Sequence, residues 1–126
     1  MSVALWCVLV AGLLPYVAVL IGKSGPGYDN ADPRGWAAKQ TDGFRRRALA
    51  AHLNGFEAFP LFAAAVLVAQ QVGGAHPRVD QLAIAFIALR LVYLFCYVTD
   101  RPTPRSLAWS AGLFCVVGIF TSPVWR

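Results

Sequence analysis

Three groups of polar side chains interrupt otherwise apolar segments of this chain, and they are the residues best suited to chemistry. The groups are Arg47, His52, Asn54 and Glu57; Arg90, Tyr93 and Tyr97; and Arg105, Ser106 and Trp109. Guanidinium groups bind carboxylates through paired hydrogen bonds, whereas a carboxylate such as Glu57 suits an ammonium group. Ionisable groups in a membrane helix are costly and persist mainly where they line a site or pair with another charge. Glu57, the only glutamate, is therefore the first residue to explain.

The spacing within each group predicts a shared helix face. Arg47, Asn54 and Glu57 are separated by seven and three residues, which places them on one side of a helix. The second group follows the same pattern, and the third group spans a single helical turn. Each group therefore presents its polar atoms in one direction.

Glu57 and Arg90 are also expected at the same depth in the membrane. Glu57 lies ten residues past Arg47, or ~15 Å along a helix axis, and Arg90 lies ten residues before Asp100. A lone glutamate and a lone arginine at matching depth in adjacent helices predict an ion pair. The polar groups then form a cleft that opens at one membrane face and narrows toward the middle of the bilayer.

Two interpretations of this polar set remain open. Polar groups hold membrane helices together, at about 0.6–2 kcal/mol each, and a Glu57–Arg90 pair by itself fits that structural role. The complete set is richer than helix packing requires, because arginine, asparagine, glutamate, tyrosine and serine side chains converge on one opening. The complete set therefore favours a ligand site.

The composition identifies the elements that must position these groups. The chain has 126 residues, of which 58% are hydrophobic and only 13% are charged, about half the charged fraction of soluble domains. A soluble domain of this length cannot bury so much apolar surface. The sequence therefore predicts an integral membrane protein.

Four apolar segments predict four membrane-spanning helices. They cover about residues 3–21, 45–71, 79–98 and 106–120. Each is close to the ~20 residues that cross a bilayer, and lipid offers no partner for the backbone polar groups of any other structure. The sequence thus predicts an all-α, four-helix membrane bundle that forms a single domain over residues 1–126.

The positions of lysine and arginine predict the orientation of the bundle. The loops after the first and third segments carry most of the basic residues, including the run Arg45–Arg47, and basic loops face the cytoplasm. Both termini are then periplasmic. The short loops and the absence of a targeting signal suit a bacterial inner membrane.

Other kinds of site are disfavoured. The net charge is +5, but the basic residues sit at the membrane edge and do not interleave with exposed aromatic residues, so nucleic acid is not an expected partner. The three cysteines lie singly in apolar runs, which predicts neither a disulfide nor a metal site.

The three polar groups resemble the motifs of the MAPEG family, the membrane-associated proteins of eicosanoid and glutathione metabolism. Residues 47–60 read Arg-Ala-x3-His-x-Asn-x2-Glu-x2-Pro, residues 90–97 read Arg-x2-Tyr-x3-Tyr, and residues 104–109 read Pro-Arg-Ser-x2-Trp. These motifs appear in the family's order along the whole chain.

The resemblance implies a homotrimer that binds glutathione in cytoplasm-facing clefts between subunits and acts on small lipophilic electrophiles, as a transferase or peroxidase. Carried over position by position, it implies glutathione-binding residues Lys23, Asn54, Glu57, Arg90, Tyr93 and Tyr97, and catalytic residues Arg105 and Ser106. The alanine-rich face of the second membrane segment, which contains Gly55, is expected at the trimer contact.

The chain departs from the family pattern at two positions. Leu53 stands where some members have an arginine, and Trp109 stands where several have a tyrosine. Both make the site more apolar, which keeps open a second function, a lipid-binding or scaffold protein without catalysis. A small transporter is a third alternative, but such exporters usually place their membrane glutamate in the first helix, which here carries no charge.

Overall fold

The computed structural model describes all residues from 1 to 126 and contains five helices and no strand. The helices are α1 (Val3–Gly22), α2 (Pro33–Ala38), α3 (Gly43–Gly73), α4 (Pro77–Val98) and α5 (Pro102–Trp125). All except α2 are long and apolar enough to cross a membrane. This confirms the predicted all-α fold with four potential membrane spans.

The last helix is longer than the sequence predicted. It extends over Pro102–Trp125 and not over residues 106–120 alone, because Pro102 and Pro104 belong to its first turn. A proline there breaks no helical hydrogen bond, since the first N–H groups of a helix have no partner within it. With 24 residues, α5 is ~36 Å long and exceeds the ~30 Å hydrocarbon layer.

The loop between the first two membrane helices contains the short helix α2, which was not among the four helices predicted from the sequence. Asp32 caps this helix by accepting a hydrogen bond from the Gly35 N–H at 3.1 Å, and Pro33 occupies its first turn. An Asp-Pro pair begins a short helix as readily as a turn. The indole of Trp36 is buried there and meets the Tyr28 ring edge-on at 5.0 Å.

The core of the bundle combines small residues with one aromatic stack. α1 packs mainly against α3, and α4 mainly against α5. The rings of Phe62 on α3 and Phe86 on α4 stack with their centroids 4.0 Å apart. The buried alanines around them allow close helix approach; they are Ala4, Ala11, Ala65, Ala69 and Ala83.

Gly55 packs against a helix of its own chain. A Cβ atom at Gly55 would lie 2.9 Å from Cγ of Pro15, so α1 and α3 approach too closely for a side chain here. One turn earlier, His52 donates a hydrogen bond from Nδ1 to the Pro15 carbonyl oxygen at 3.0 Å. The close contact of Gly55 is therefore made within its own chain, and the trimer contact of the alanine-rich face stays a prediction.

One end of the bundle holds most of the positive charge. The end of α1, the start of α3, the end of α4 and the start of α5 meet there, and Arg47 of α3 donates from Nε to the Val98 carbonyl oxygen of α4 at 3.1 Å. Of the 11 lysines and arginines, only Arg78, Arg90 and Arg126 lie elsewhere. We call this the basic end.

Candidate functional site

Arg90 on α4 and Asn54 on α3 form the innermost polar contact of the site. Arg90 donates a hydrogen bond from Nη2 to Oδ1 of Asn54 at 2.9 Å, and its guanidinium lies 4.2 Å from the centroid of the Tyr93 ring. The predicted Glu57–Arg90 ion pair is therefore wrong. The long arginine side chain stacks on Tyr93, one turn closer to the basic end, which brings its charge to the level of Asn54 and away from Glu57.

Aromatic rings continue from this contact toward the basic end. Tyr93 is buried and meets Tyr97 edge-on, with ring centroids 5.6 Å apart. The guanidinium of Arg105, in the first turns of α5, lies 4.6 Å from the centroid of Tyr97. Cation–π contacts contribute about 0.5–2 kcal/mol each. The series Arg90, Tyr93, Tyr97 and Arg105 thus holds the guanidinium of Arg105 at the basic end.

A polar hollow opens beside this stack. It has a volume of about 440 Å³ and is lined by Asn54, Tyr93, Tyr97, Arg105, Ser106, Trp109 and Ser110. The four residues from α5 are spaced by one, three and one positions, so one face of that helix supplies them. The structure brings five of the eight sequence-predicted site residues into this single space.

An apolar groove adjoins the polar hollow on the side away from the basic end. Its volume is about 190 Å³, and its walls are Asn54, Glu57, Ala58, Leu61, Phe86, Arg90, Trp109, Gly112, Leu113 and Val116. Asn54 and Trp109 line both spaces, so the hollow and the groove are adjacent. The carboxylate of Glu57 is exposed at the edge of the groove.

Most walls of the apolar groove were not predicted from the sequence. Gly112, Leu113 and Val116 follow Trp109 by three, four and seven positions, which is the periodicity of one helix face. That periodicity was a usable signal, but an apolar face in a membrane helix fits lipid and protein neighbours equally well. Only the gap between α3 and α5 distinguishes these residues as groove walls.

Two residues discussed from the sequence lie outside the hollow and the groove. Lys23 caps the end of α1, where its Nζ lies 5.1 Å from the centroid of the Tyr28 ring. The side chain of Leu53 is 61% exposed on α3. Within one chain, neither residue lines the space shared by Asn54 and Arg105.

The arrangement suits a ligand with two different ends. The hollow offers a guanidinium, hydroxyl groups and an amide to an anionic, hydrogen-bonding part. The groove offers apolar walls to a lipophilic part. No group of three or more histidine, cysteine, aspartate or glutamate side chains is placed to hold a metal ion.

Comparison with known proteins gives one match. The family model described as "MAPEG family" matches residues 3–125, nearly the whole chain. Neither the curated proteins nor the solved structures yield a match.

Proposed function

The chain belongs to the MAPEG family of integral membrane proteins, and from that premise we propose that it is a glutathione-dependent transferase or peroxidase acting on lipophilic electrophiles. In this proposal the polar hollow holds glutathione and the apolar groove holds the electrophile. Lipophilic electrophiles concentrate in the bilayer, so a thiolate held beside the groove meets them at high local concentration.

The observation that supports the proposal is the position of Arg105 and Ser106. Both residues line the polar hollow, which adjoins the groove at Asn54 and Trp109. A guanidinium and a hydroxyl at the polar side of an apolar groove are the groups needed to stabilise an anionic sulfur next to a lipophilic substrate.

The chemistry follows from the ligand. Glutathione carries two carboxylates, one ammonium and a thiol, so an arginine-rich hollow with one nearby carboxylate, Glu57, matches its charges. Its thiol has a pKa of about 8.5. Arg105 stabilises the thiolate, and Ser106 donates a hydrogen bond to the sulfur. In conjugation the thiolate attacks an electrophilic carbon, the new carbon–sulfur bond displaces the leaving group, and the thiol proton passes to water.

A homotrimer is part of the proposal. Lys23 lies away from the hollow of its own chain, so its role toward a glutathione carboxylate requires the α1 helix of a neighbouring subunit. Large apolar side chains on the outer faces of α1 and α5, such as Leu13 and Phe114, offer surface for such contacts. Native mass spectrometry in detergent measures the subunit number directly, and a monomer would contradict the role of Lys23.

The test of the proposed activity is turnover of an aryl halide with glutathione by the purified protein. We expect Arg105→Ala to lower kcat/KM by about a hundredfold or more, because a donor to the developing anion is lost. Arg101→Ala is the matched control, since Arg101 is also at the basic end but lies over the Phe95 ring, outside the hollow. Equal activity of the Arg105 variant and the wild type rules out the assigned role.

A second candidate function is lipid binding or scaffolding without thiol chemistry. Trp109 favours it, because its indole lines both the hollow and the groove and makes their junction apolar. Isothermal titration with glutathione in detergent separates the two functions. A protein that only binds lipid gives no heat with glutathione, whereas a glutathione-dependent enzyme does.

The proposed location is a bacterial inner membrane with the basic end in the cytoplasm and both termini in the periplasm. The concentration of lysine and arginine at the basic end supports this orientation. Labelling of a Ser24→Cys variant by a membrane-impermeant thiol reagent tests it, because Ser24 is exposed just after α1. Protection in intact cells and labelling after lysis agree with the proposal.

A further inference from the structure

A second polar pocket lies at the basic end and shares only Tyr97 and Arg105 with the polar hollow. We call it the rim pocket. It has a volume of about 350 Å³ and is lined by Thr41, Asp42, Gly43, Arg46, Arg47, Tyr97, Asp100 and Arg105. The start of α3, the end of α4 and the start of α5 all contribute to it. Three arginines and two aspartates therefore face one open space at the level of the membrane surface.

These opposite charges do not neutralise each other. Arg47 directs its Nε to the Val98 carbonyl oxygen, and Arg105 lies over the Tyr97 ring. Asp42 precedes α3 without accepting a hydrogen bond from its first turn. No ion pair within 4.0 Å joins the aspartates to the arginines of the pocket. Both signs of charge thus remain available to a bound molecule.

Asp100 occupies a backbone conformation that favours glycine. Its φ is 58°, and it follows α4 in a Schellman turn, with the Arg101 N–H donating to the Cys96 carbonyl oxygen at 2.7 Å. Glycine is the usual residue at this position, because a Cβ atom is disfavoured in the left-handed region. Asp100 thus places a carboxylate at the edge of the rim pocket at a conformational cost, and residues in such conformations cluster at ligand-binding sites.

The surroundings of the rim pocket suit a lipid headgroup. The pocket lies where α3 and α5 begin and α4 ends, so a molecule in it is next to the apolar spans of these three helices. Basic clusters at a membrane edge attract lipid phosphates, each residue contributing about 1 kcal/mol.

We infer that the rim pocket binds a membrane lipid whose headgroup carries both a phosphate and a primary ammonium, as phosphatidylethanolamine does. The phosphate matches Arg46 and Arg47, and the ammonium matches Asp42 and Asp100. A purely anionic headgroup, as in phosphatidylglycerol, is repelled by the carboxylates of Asp42 and Asp100. The quaternary ammonium of phosphatidylcholine has no N–H to donate to these carboxylates. This inference does not depend on the proposed glutathione chemistry.

The experiment measures the Tm of the purified full chain in detergent with added lipid. We expect dioleoyl-phosphatidylethanolamine to raise Tm by about 4 °C more than the phosphatidylcholine or phosphatidylglycerol of the same chains, at tenfold excess over its Kd. Arg46→Gln and Asp100→Asn should each abolish that difference. Asparagine tolerates the left-handed conformation, so the second variant keeps the fold. Arg34→Gln, an exposed residue of α2, is the matched control and should retain the difference.

Three outcomes overturn the inference. The first is a lack of headgroup specificity at the rim pocket. Either Tm rises equally with phosphatidylethanolamine and phosphatidylcholine, or the preference for phosphatidylethanolamine survives in both Arg46→Gln and Asp100→Asn. The second is an equal rise with soluble phosphoethanolamine, which assigns the pocket to a free ligand and not to a lipid. The third is loss of the lipid preference when glutathione is saturating, which makes the rim pocket part of the polar hollow. Retention of the preference with glutathione present, and its loss in the two variants, supports the inference.

Discussion

Arg90 of α4 donates a hydrogen bond to the side-chain oxygen of Asn54 on α3 at 2.9 Å, and this bond connects the two helices in the middle of the site. The guanidinium has the Tyr93 ring on one side and the apolar groove on the other. A charge at this depth is costly without an acceptor. The bond therefore stabilises the bundle. Glu57 is not the residue that pairs with Arg90.

The first prediction concerns the acceptor. Asn54→Ala should lower the free energy of unfolding by about 1.5–3 kcal/mol, because Arg90 loses its hydrogen bond where no other side chain replaces it. Thermal unfolding in detergent, followed by tryptophan fluorescence, measures the loss as a lower Tm.

The matched control is Asn54→Asp, which retains an acceptor oxygen and adds a negative charge opposite Arg90. Its Tm should equal or exceed that of the wild type. If the alanine and aspartate variants unfold at the same temperature, the Asn54 oxygen is not the group that stabilises Arg90.

The second prediction separates binding from folding at Glu57. Since its carboxylate is exposed and Arg90 bonds to Asn54, Glu57→Gln should change stability by no more than about 0.5 kcal/mol. Loss of a charge-assisted hydrogen bond to the ammonium of glutathione should raise the Kd at least about tenfold. Isothermal titration and thermal unfolding of one preparation test both parts. A large fall in Tm with unchanged affinity would point to a structural role.

Periodicity in the sequence determines which residues share a helix face. Spacing placed Asn54 and Glu57 on one helix face, and the structure has both on the wall of the same groove. The direction of a long side chain is not determined by spacing. The arginine at position 90 reaches about a full helical turn along its helix, so a depth calculated from backbone positions paired it with the wrong acceptor.

Helix ends and close contacts were harder to predict for a different reason. Pro102 begins α5 and Pro33 begins α2, but a proline in the sequence is compatible with the first turn of a helix and also with the residues just after its end. Gly55 suits any close helix contact, and only the three-dimensional packing shows that Pro15 makes it. Local sequence indicates that a contact is close but does not name the partner.

The third prediction compares two glycines. Gly55→Ala should destabilise the protein by about 1–3 kcal/mol, because the new Cβ would lie 2.9 Å from Cγ of the rigid Pro15 ring. Gly112→Ala is the matched control, since its Cβ would lie 3.7 Å from the Phe86 ring, an ordinary contact. Alanine is also the better helix former by about 1 kcal/mol, so this variant should be as stable as the wild type or more so. Equal Tm values for the two variants would contradict the close approach of α1 and α3.

The last prediction concerns Trp109, which lines both the polar hollow and the apolar groove. Under the proposed function, Trp109→Tyr places a hydroxyl where the glutathione sulfur meets the electrophile, and a hydrogen bond to the thiolate should raise kcat/KM for an aryl halide by about tenfold. Trp109→Phe provides the control, because it removes the indole in the same way but adds no donor. A higher rate in the tyrosine variant alone assigns the gain to the hydroxyl. An equal gain in both variants assigns it to the space that the indole vacates. In that case the width of the junction between the hollow and the groove limits kcat/KM, and hydrogen bonding to the sulfur does not.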